Sequence, residues 1–324
     1  MLGGGTFISE NKVLPGTYIN LVSAARATDT LSSRGIVAVP LLLDWGVEGE
    51  VFTLDAETFT MNSLKMFGYT SDDPKLRAVR EIFKNAKTAH IYRLNPGVKA
   101  AVTVGALTAT AKYAGTRGNK LRIVVKENID NSAKKDVITY FDGVLVERQI
   151  VATADALVAN DFVVFSGTGA LTDAAGADLV GGTNKESVIG ADYQLALDAF
   201  EAYNFNVLIC PTSDVTTADL FIAYTKRLRD DLGIKFQTVV YKNAADHEGI
   251  ISVENMVLDA GENAAALTYW VGGAASSAEV NKSIANKNYD GEYQIDTNYT
   301  QSQLEANLVA GKFMFHKVGS TVRI

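Results

Sequence analysis

Runs of apolar residues and stretches with helical spacing alternate in two parts of the chain. Residues 36–43 are almost continuously apolar, which is typical of a strand covered on both faces. Residues 74–85 place Leu76, Val79 and Ile82 on one helical face. Further strands are predicted at residues 89–94, 205–210, 234–241 and 313–318, and further helices at 58–67, 191–203, 216–232, 262–276 and 300–308. This alternation predicts a largely parallel sheet with helices on both faces.

Residues 98–183 have a different pattern. They are rich in Val, Thr, Ala and Gly, and they predict strands at residues 121–126, 137–141, 144–150 and 162–165. Asp142-Gly143 between two of these strands is typical of a hairpin turn. Turn residues also lie at both ends of the block, at 95–97 and 181–183. We therefore predict an all-β domain, able to fold alone, inserted into an α/β domain.

The first 33 residues predict a short strand with loose polar flanks. The strand follows Pro15-Gly16 and consists of Thr17, Tyr18, Ile19, Asn20, Leu21 and Val22. Such a strand needs a partner sheet in the same chain or in a neighbouring one. The predicted division is an N-terminal arm (1–33), the first part of an α/β domain (34–97), the inserted β domain (98–183) and the second part of the α/β domain (184–324).

Charge and hydropathy exclude two classes of function. The 324 residues include 30 Lys and Arg against 37 Asp and Glu, a formal net charge of −7, so phosphate is repelled and nucleic-acid binding is not expected. The basic cluster Lys226, Arg227 and Arg229 precedes Asp230-Asp231 and favours a solvated helix face. The longest apolar stretch, residues 35–43, is too short to span a bilayer, and no signal peptide is evident, so we expect no membrane insertion and a cytoplasmic protein.

Residues that could carry catalysis are few. His90 and His316 lie in predicted strands, and His247 lacks the second histidine of a zinc-binding His-Glu-x-x-His motif. The single cysteine, Cys210, lies in an apolar run and predicts a buried, inert thiol. The hydrolase pattern Gly-x-Ser-x-Gly and the phosphate-binding loop are absent from the sequence. We therefore expect no catalytic, cofactor or metal site, although sequence alone leaves a Ser/His/Asp triad possible.

One strand-to-helix connection has two interpretations. Thr212, Ser213 and Asp214 follow a predicted strand and precede a helix, where an α/β sheet can bind a ligand. The same residue types cap helix N-termini, and capping is the favoured interpretation.

Several segments along the whole chain carry a family resemblance. They are residues 11–20 (NKVLPGTYIN), 32–36 (SSRGI), 43–46 (LDWG), 83–88 (FKNAKT), 92–95 (YRLN), 181–184 (GGTN), 221–228 (FIAYTKRL), 235–237 (KFQ), 290–292 (DGE), 299–301 (YTQ) and 315–319 (FHKVG). In these segments the chain resembles the tail sheath proteins of contractile bacteriophages, of the type found in prophages of Gram-positive bacteria.

The resemblance implies a fold and a set of partners. It implies an N-terminal arm, a β-sandwich domain and an α/β domain with a subtilisin-like fold, which is not evidence of proteolysis. It also implies stacked rings of copies around a tail tube protein, together with a baseplate and a tail terminator. The arm residues 17–22 are implied to link neighbouring copies by adding a strand to a shared sheet.

The resemblance further implies a non-enzymatic virion component, assembled in the host bacterial cytoplasm, whose contraction drives the tube through the bacterial envelope. Family members continue into a further C-terminal domain, so we expect this chain to lack one and not to form tubes by itself. Three alternatives stay open. They are a subtilisin-like hydrolase, a different assembly protein such as a tube or capsid component, and the sheath of a bacteriocin or other injection device.

Overall fold

The computed structural model describes residues 34–279 and 281–324, and the predicted arm strand at residues 17–22 lies outside them. A six-stranded sheet forms the centre of the molecule. In spatial order its strands are β15 (Ile250–Val253), β14 (Gln237–Tyr241), β13 (Val207–Ile209), β1 (Ile36–Leu41), β3 (Thr88–Arg93) and β2 (Val51–Asp55). All neighbours are parallel except β2, which runs antiparallel at one edge. The predicted, largely parallel sheet is therefore present.

Helices cover both faces of this sheet. In chain order they are α1 (Ala56–Phe67), α2 (Arg77–Phe83), α3 (Gly190–Phe200), α4 (Val215–Lys226), α5 (Leu267–Ser277) and α6 (Gln301–Val309). Helices α1, α2 and α5 share one core with Val39 and Ile91 of the central strands. Helices α3 and α4 share a second core with Ala38 and Leu208. Strand residues 37, 38 and 39 are thus fully buried on alternating sides, which is why the sequence reads as a continuous apolar run.

The start of α4 confirms the capping interpretation of Asp214. Its carboxylate accepts a hydrogen bond from the Thr217 backbone N–H at 2.7 Å. The predicted helix 216–232 is α-helical only to Lys226 and continues as the π-helical turn Arg227–Asp231. A wider turn changes the direction of the side chains, and Leu232, which follows it, is 60% exposed.

Two further sheets enclose the core of a β-sandwich. One contains β11 (Ala174–Asp178), β7 (Leu121–Glu127), β8 (Lys135–Phe141) and β9 (Val144–Val151), and the other contains β10 (Val163–Ser166), β6 (Leu107–Ala111) and β5 (Ala101–Val104). Asp142 and Gly143 join β8 to β9 with φ of 50° and 82°, as a tight hairpin turn requires. The predicted hairpin and the predicted β-rich block are confirmed.

Short pairs of strands complete the structure. Strand β4 (Pro96–Val98) pairs with β12 (Thr183–Asn184) where the chain enters and leaves the sandwich. A hairpin of β16 (His316–Val318) and β17 (Thr321–Arg323) replaces the longer predicted strand 313–318. Helix α6 buries none of its residues. Within the described part of the chain, no helix combines the length and the apolar character needed to cross a membrane.

Candidate functional site: the junction between sheet and sandwich

The two histidines His90 and His247 form hydrogen bonds or ion contacts within the protein, and Cys210 is buried. His90 hydrogen-bonds to Thr53 at 2.7 Å and to the Asn204 carbonyl at 3.2 Å. His247 lies 3.2 Å from Asp230. Cys210 is fully buried, and burial raises the pKa of its thiol to about 12. Among residues 34–279 and 281–324, no cluster of three or more His, Cys, Asp or Glu side chains is arranged to hold a metal ion.

The basic cluster at the end of α4 is also paired within the protein. Arg227 forms an ion pair with Glu201, and Arg229 forms one with Glu248 at 2.5 Å. The Lys226 ammonium lies 3.4 Å from the Ala245 carbonyl. These contacts agree with local charge balance and not with a nucleic-acid surface, but Arg229 is buried and does not lie on a solvated face as predicted.

A group of buried aromatic and hydrogen-bonded side chains lies at the junction where the six-stranded sheet meets the sandwich. Trp45, just after β1, is fully buried within the core of the sandwich. Its ring centroid lies 5.4 Å from that of Tyr113 and 5.7 Å from that of Phe141. Its indole N–H donates to the Lys65 carbonyl of α1 at 3.1 Å. One side chain from outside the block thus fills a place in the sandwich core.

Arg93, the last residue of β3, is the buried charge of this junction and is 0% exposed. It donates to the carbonyls of Leu43 at 3.1 Å and Gly46 at 3.2 Å, in the loop that carries Trp45. It also donates to the Ala114 carbonyl of the sandwich at 2.7 Å. Burial lowers its pKa to about 10, so the guanidinium stays charged at neutral pH. Because these carbonyls belong to both parts of the molecule, Arg93 connects the six-stranded sheet to the sandwich by hydrogen bonds.

Asp44 organises a second set of contacts beside Arg93. Its carboxylate accepts from the Asn184 amide and from the Tyr69 hydroxyl, both at 2.6 Å. Burial and this hydrogen bond to Asp44 raise the pKa of Tyr69. Arg117 of the sandwich stacks 4.4 Å from the Tyr69 ring centroid and donates to the Gly68 carbonyl at 2.8 Å.

The backbones at the junction approach each other very closely. A Cβ atom on Gly182 would lie 2.5 Å from the Gly115 carbonyl oxygen, so a larger residue would force the chains apart. The Gly182 N–H and carbonyl both bond the Asn119 side chain at 2.8 Å. This geometry gives a physical reason for the segment 181–184, which carried part of the resemblance.

No sequence pattern marks Trp45 and Arg93 as a pair. Both lie in segments quoted for the resemblance, but no role was given to either. One signal was available, because an arginine at the end of a strand predicted to be covered on both faces must find buried acceptors. The sequence could not show that one of those acceptors, the Ala114 carbonyl, lies in the sandwich.

Comparison with known proteins identifies the family. Sequence models match three consecutive regions: the Gp18 domain III N-terminal region of the tail sheath protein at residues 34–94, the phage tail sheath protein beta-sandwich domain at 95–184, and the phage tail sheath protein central domain at 186–324. The phage-like element PBSX protein XkdK of Bacillus subtilis (strain 168) is 35% identical, over 97% of this chain and 72% of that protein. The chain belongs to the phage tail sheath family.

Solved structures of sheath proteins agree with this assignment. The crystal structure of a sheath tail protein from Desulfitobacterium hafniense superposes with a TM-score of 0.83 at 43% identity, covering 95% of this chain and 73% of that one. The sheath tail protein Lin1278 from Listeria innocua gives 0.81 at 35% identity, covering 90% and 67%.

Membership in the tail sheath family decides the class of function. The chain is a structural subunit of a tail sheath and not an enzyme, and the hydrolase alternative has no support. As a member of the phage tail sheath family, the chain is a component of a virion tail.

Proposed function

We propose that copies of this chain form stacked rings around a tail tube and contract to drive the tube through a bacterial envelope. The proposed partners are the tail tube protein, the baseplate and the tail terminator, and assembly takes place in the host bacterial cytoplasm. Family membership supports the sheath role. The observation that carries the mechanical part is the buried junction of Trp45 and Arg93.

The junction supports a subunit that turns as one body. A sheath changes length when its subunits rotate between two lattices, and useful work is lost if the parts of a subunit flex instead. Trp45 and Arg93 connect the six-stranded sheet to the sandwich through a filled core and buried hydrogen bonds. Separation of the two parts would expose the indole and leave the guanidinium and its carbonyl partners without hydrogen bonds. Because this separation is costly, the two parts rotate together.

We further propose the division predicted from the sequence. The arm comprises residues 1–33, the sandwich is an insertion at residues 98–183, and residues 34–97 and 184–324 form one α/β domain with a subtilisin-like fold. The shared six-stranded sheet supports the last point, because β1 and β3 come from the first piece and β13 to β15 from the second. Fold alone carries no catalytic function.

The arm residues Thr17, Tyr18, Ile19, Asn20, Leu21 and Val22 are proposed to link neighbouring copies by strand addition. A β-prone run with loose polar flanks supports this role, because such a strand needs a partner sheet in the same chain or in a neighbouring one. The test is electron microscopy of sheaths from cells that also produce the tube and baseplate proteins. Deleting residues 1–22 should abolish long sheaths, and Ile19→Pro should shorten them because proline removes a donor from the strand.

The matched control is Met61→Ala, at a side chain of α1 that is 75% exposed. It should leave sheath length unchanged. Normal sheaths from the arm-deleted protein would show that other contacts hold the copies together.

A further inference from the structure

Helix α2 carries a carboxyl group that is completely buried. The Glu81 side chain is 0% exposed. Within residues 34–279 and 281–324, no lysine, arginine or histidine nitrogen lies within ion-pair distance of it. Its two hydrogen-bond partners are the backbone N–H of Glu292 and the hydroxyl of Tyr289, the latter at 2.9 Å. An isolated buried carboxylate is costly, so its protonation matters to the stability of the site.

The partners of Glu81 belong to one loop, residues 289–293, which packs on α2. The Tyr289 hydroxyl donates to Glu81 and accepts from the Tyr293 backbone N–H at 3.0 Å. A Cβ on Gly291 would lie 2.3 Å from the Glu81 carboxylate, so only glycine permits this approach. The motif at residues 290–292, which the sheath role did not explain, therefore fits around Glu81.

The neighbouring charges act on Glu81 in opposite directions. From the loop, Glu292 raises its pKa, and the hydrogen bonds from the Glu292 N–H and the Tyr289 hydroxyl lower it. Lys84, directly after α2, lowers it, while Arg80 pairs with Glu292 of the loop and Arg77 pairs with Asp259. Helix α5 contributes Trp270, whose N–H donates to Asp290 at 2.7 Å. Burial is the largest effect, and the net result is a raised pKa for Glu81.

Glu292, in the same network, has the opposite behaviour. Arg80 binds its two carboxylate oxygens at 2.7 and 2.8 Å, and this pairing holds the pKa of Glu292 below its ordinary value. The loop is thus held by one carboxyl that favours the neutral form and one that favours the charged form.

We propose that Glu81 and the loop 289–293 form a pH-dependent latch, in which neutral Glu81 holds the loop on α2 and ionisation of Glu81 loosens it. A neutral carboxyl keeps both contacts, because its carbonyl oxygen accepts from the Glu292 N–H and its hydroxyl oxygen accepts from the Tyr289 hydroxyl. A group with a raised folded pKa stabilises fully below its unfolded pKa, and this stabilisation is lost as the pH rises through the folded value. The loop is therefore held on α2 in acid, and its contact with α2 weakens as the pH rises from mildly acidic values.

Hydrogen exchange on the full 324-residue chain tests the latch. Protection factors for peptides covering residues 286–296, corrected for intrinsic exchange, are measured from about pH 4.5 to about pH 8.5. In the wild type they should fall by up to about tenfold per pH unit and then level off once Glu81 is ionised. Glu81→Gln, which stays neutral, should not show this fall and should exceed the wild type at the highest pH. Peptides from β8 should be unaffected.

Glu292→Gln is the matched control with the opposite sign. It removes a carboxylate whose pKa is lowered in the folded protein. The substitution should therefore lower the protection of residues 286–296 most at neutral pH and least in acid. Wild-type protection that rises with pH, or a Glu81→Gln protein less protected than the wild type at the highest pH, overturns the proposal. If Glu81→Gln does not fold, the direction of the wild-type profile still decides.

Discussion

Replacement of Trp45 by alanine should destabilise the sandwich although Trp45 lies outside the inserted block. The indole is fully buried against Tyr113, Phe141 and Phe162, with ring centroids 5.4, 5.7 and 6.5 Å away. Truncation of such a side chain leaves a cavity and costs about 3–5 kcal/mol. Loss of the hydrogen bond to the Lys65 carbonyl adds about 1 kcal/mol. A loss of about 4–6 kcal/mol is a large part of the stability of an ordinary domain.

Urea titration measures this loss through circular dichroism of the whole chain. Trp45→Ala should lower the unfolding midpoint of the β-rich transition, and Trp45→Phe should restore part of it because the smaller ring fills part of the cavity. Met61→Ala, on the exposed face of α1, should change the free energy of unfolding by less than about 0.5 kcal/mol.

The buried position of Trp45 also affects how residues 98–183 would fold alone, which stays a prediction. A fragment with those boundaries lacks Trp45, so its core would contain an indole-sized void. We now expect it to unfold less cooperatively than the sandwich within the whole chain. A Trp45→Ala protein that loses less than about 1 kcal/mol, or a fragment as stable as the intact sandwich, would refute the role of Trp45 as a core residue.

Three other predictions concern buried polar groups. Arg93→Met leaves the carbonyls that Arg93 joins without a donor, and urea titration should show a loss of about 2–4 kcal/mol. Asn255→Ala removes three hydrogen bonds to the backbone of residues 281–324, so limited proteolysis should cut that segment faster than in the wild type. Because burial raises the thiol pKa of Cys210 to about 12, a thiol reagent at neutral pH should label it only after denaturation, and labelling of the native protein would contradict this.

Local patterns in the sequence predicted the elements whose causes are local. Residues 36–43 predicted β1 because a strand covered on both faces must be apolar at every position. Asp142-Gly143 predicted a hairpin because a tight turn needs positive φ at both positions. Asp214 predicted a helix start because its side chain satisfies an N–H that the helix cannot.

The sequence was less informative where the conformation of a segment depends on contacts with distant parts of the chain. The edge strand Val51–Asp55 was not predicted, because its alternation of buried Phe52 and Leu54 with exposed residues extends over only five residues. The π-helical turn after Lys226 was not predicted either, and Leu232 is exposed as a result.

Only the tertiary structure shows which residues meet at the junction and at the latch. Arg93 is charged and buried, and its acceptors lie from 21 to 91 residues away along the chain. Glu81 meets its partners across a separation of more than 200 residues. Hydrophobic periodicity shows which face of an element is buried, but it does not show which distant backbone or side-chain groups meet that face. The family could therefore be predicted from the sequence, whereas the contacts that join its parts follow only from how the sheets and helices pack.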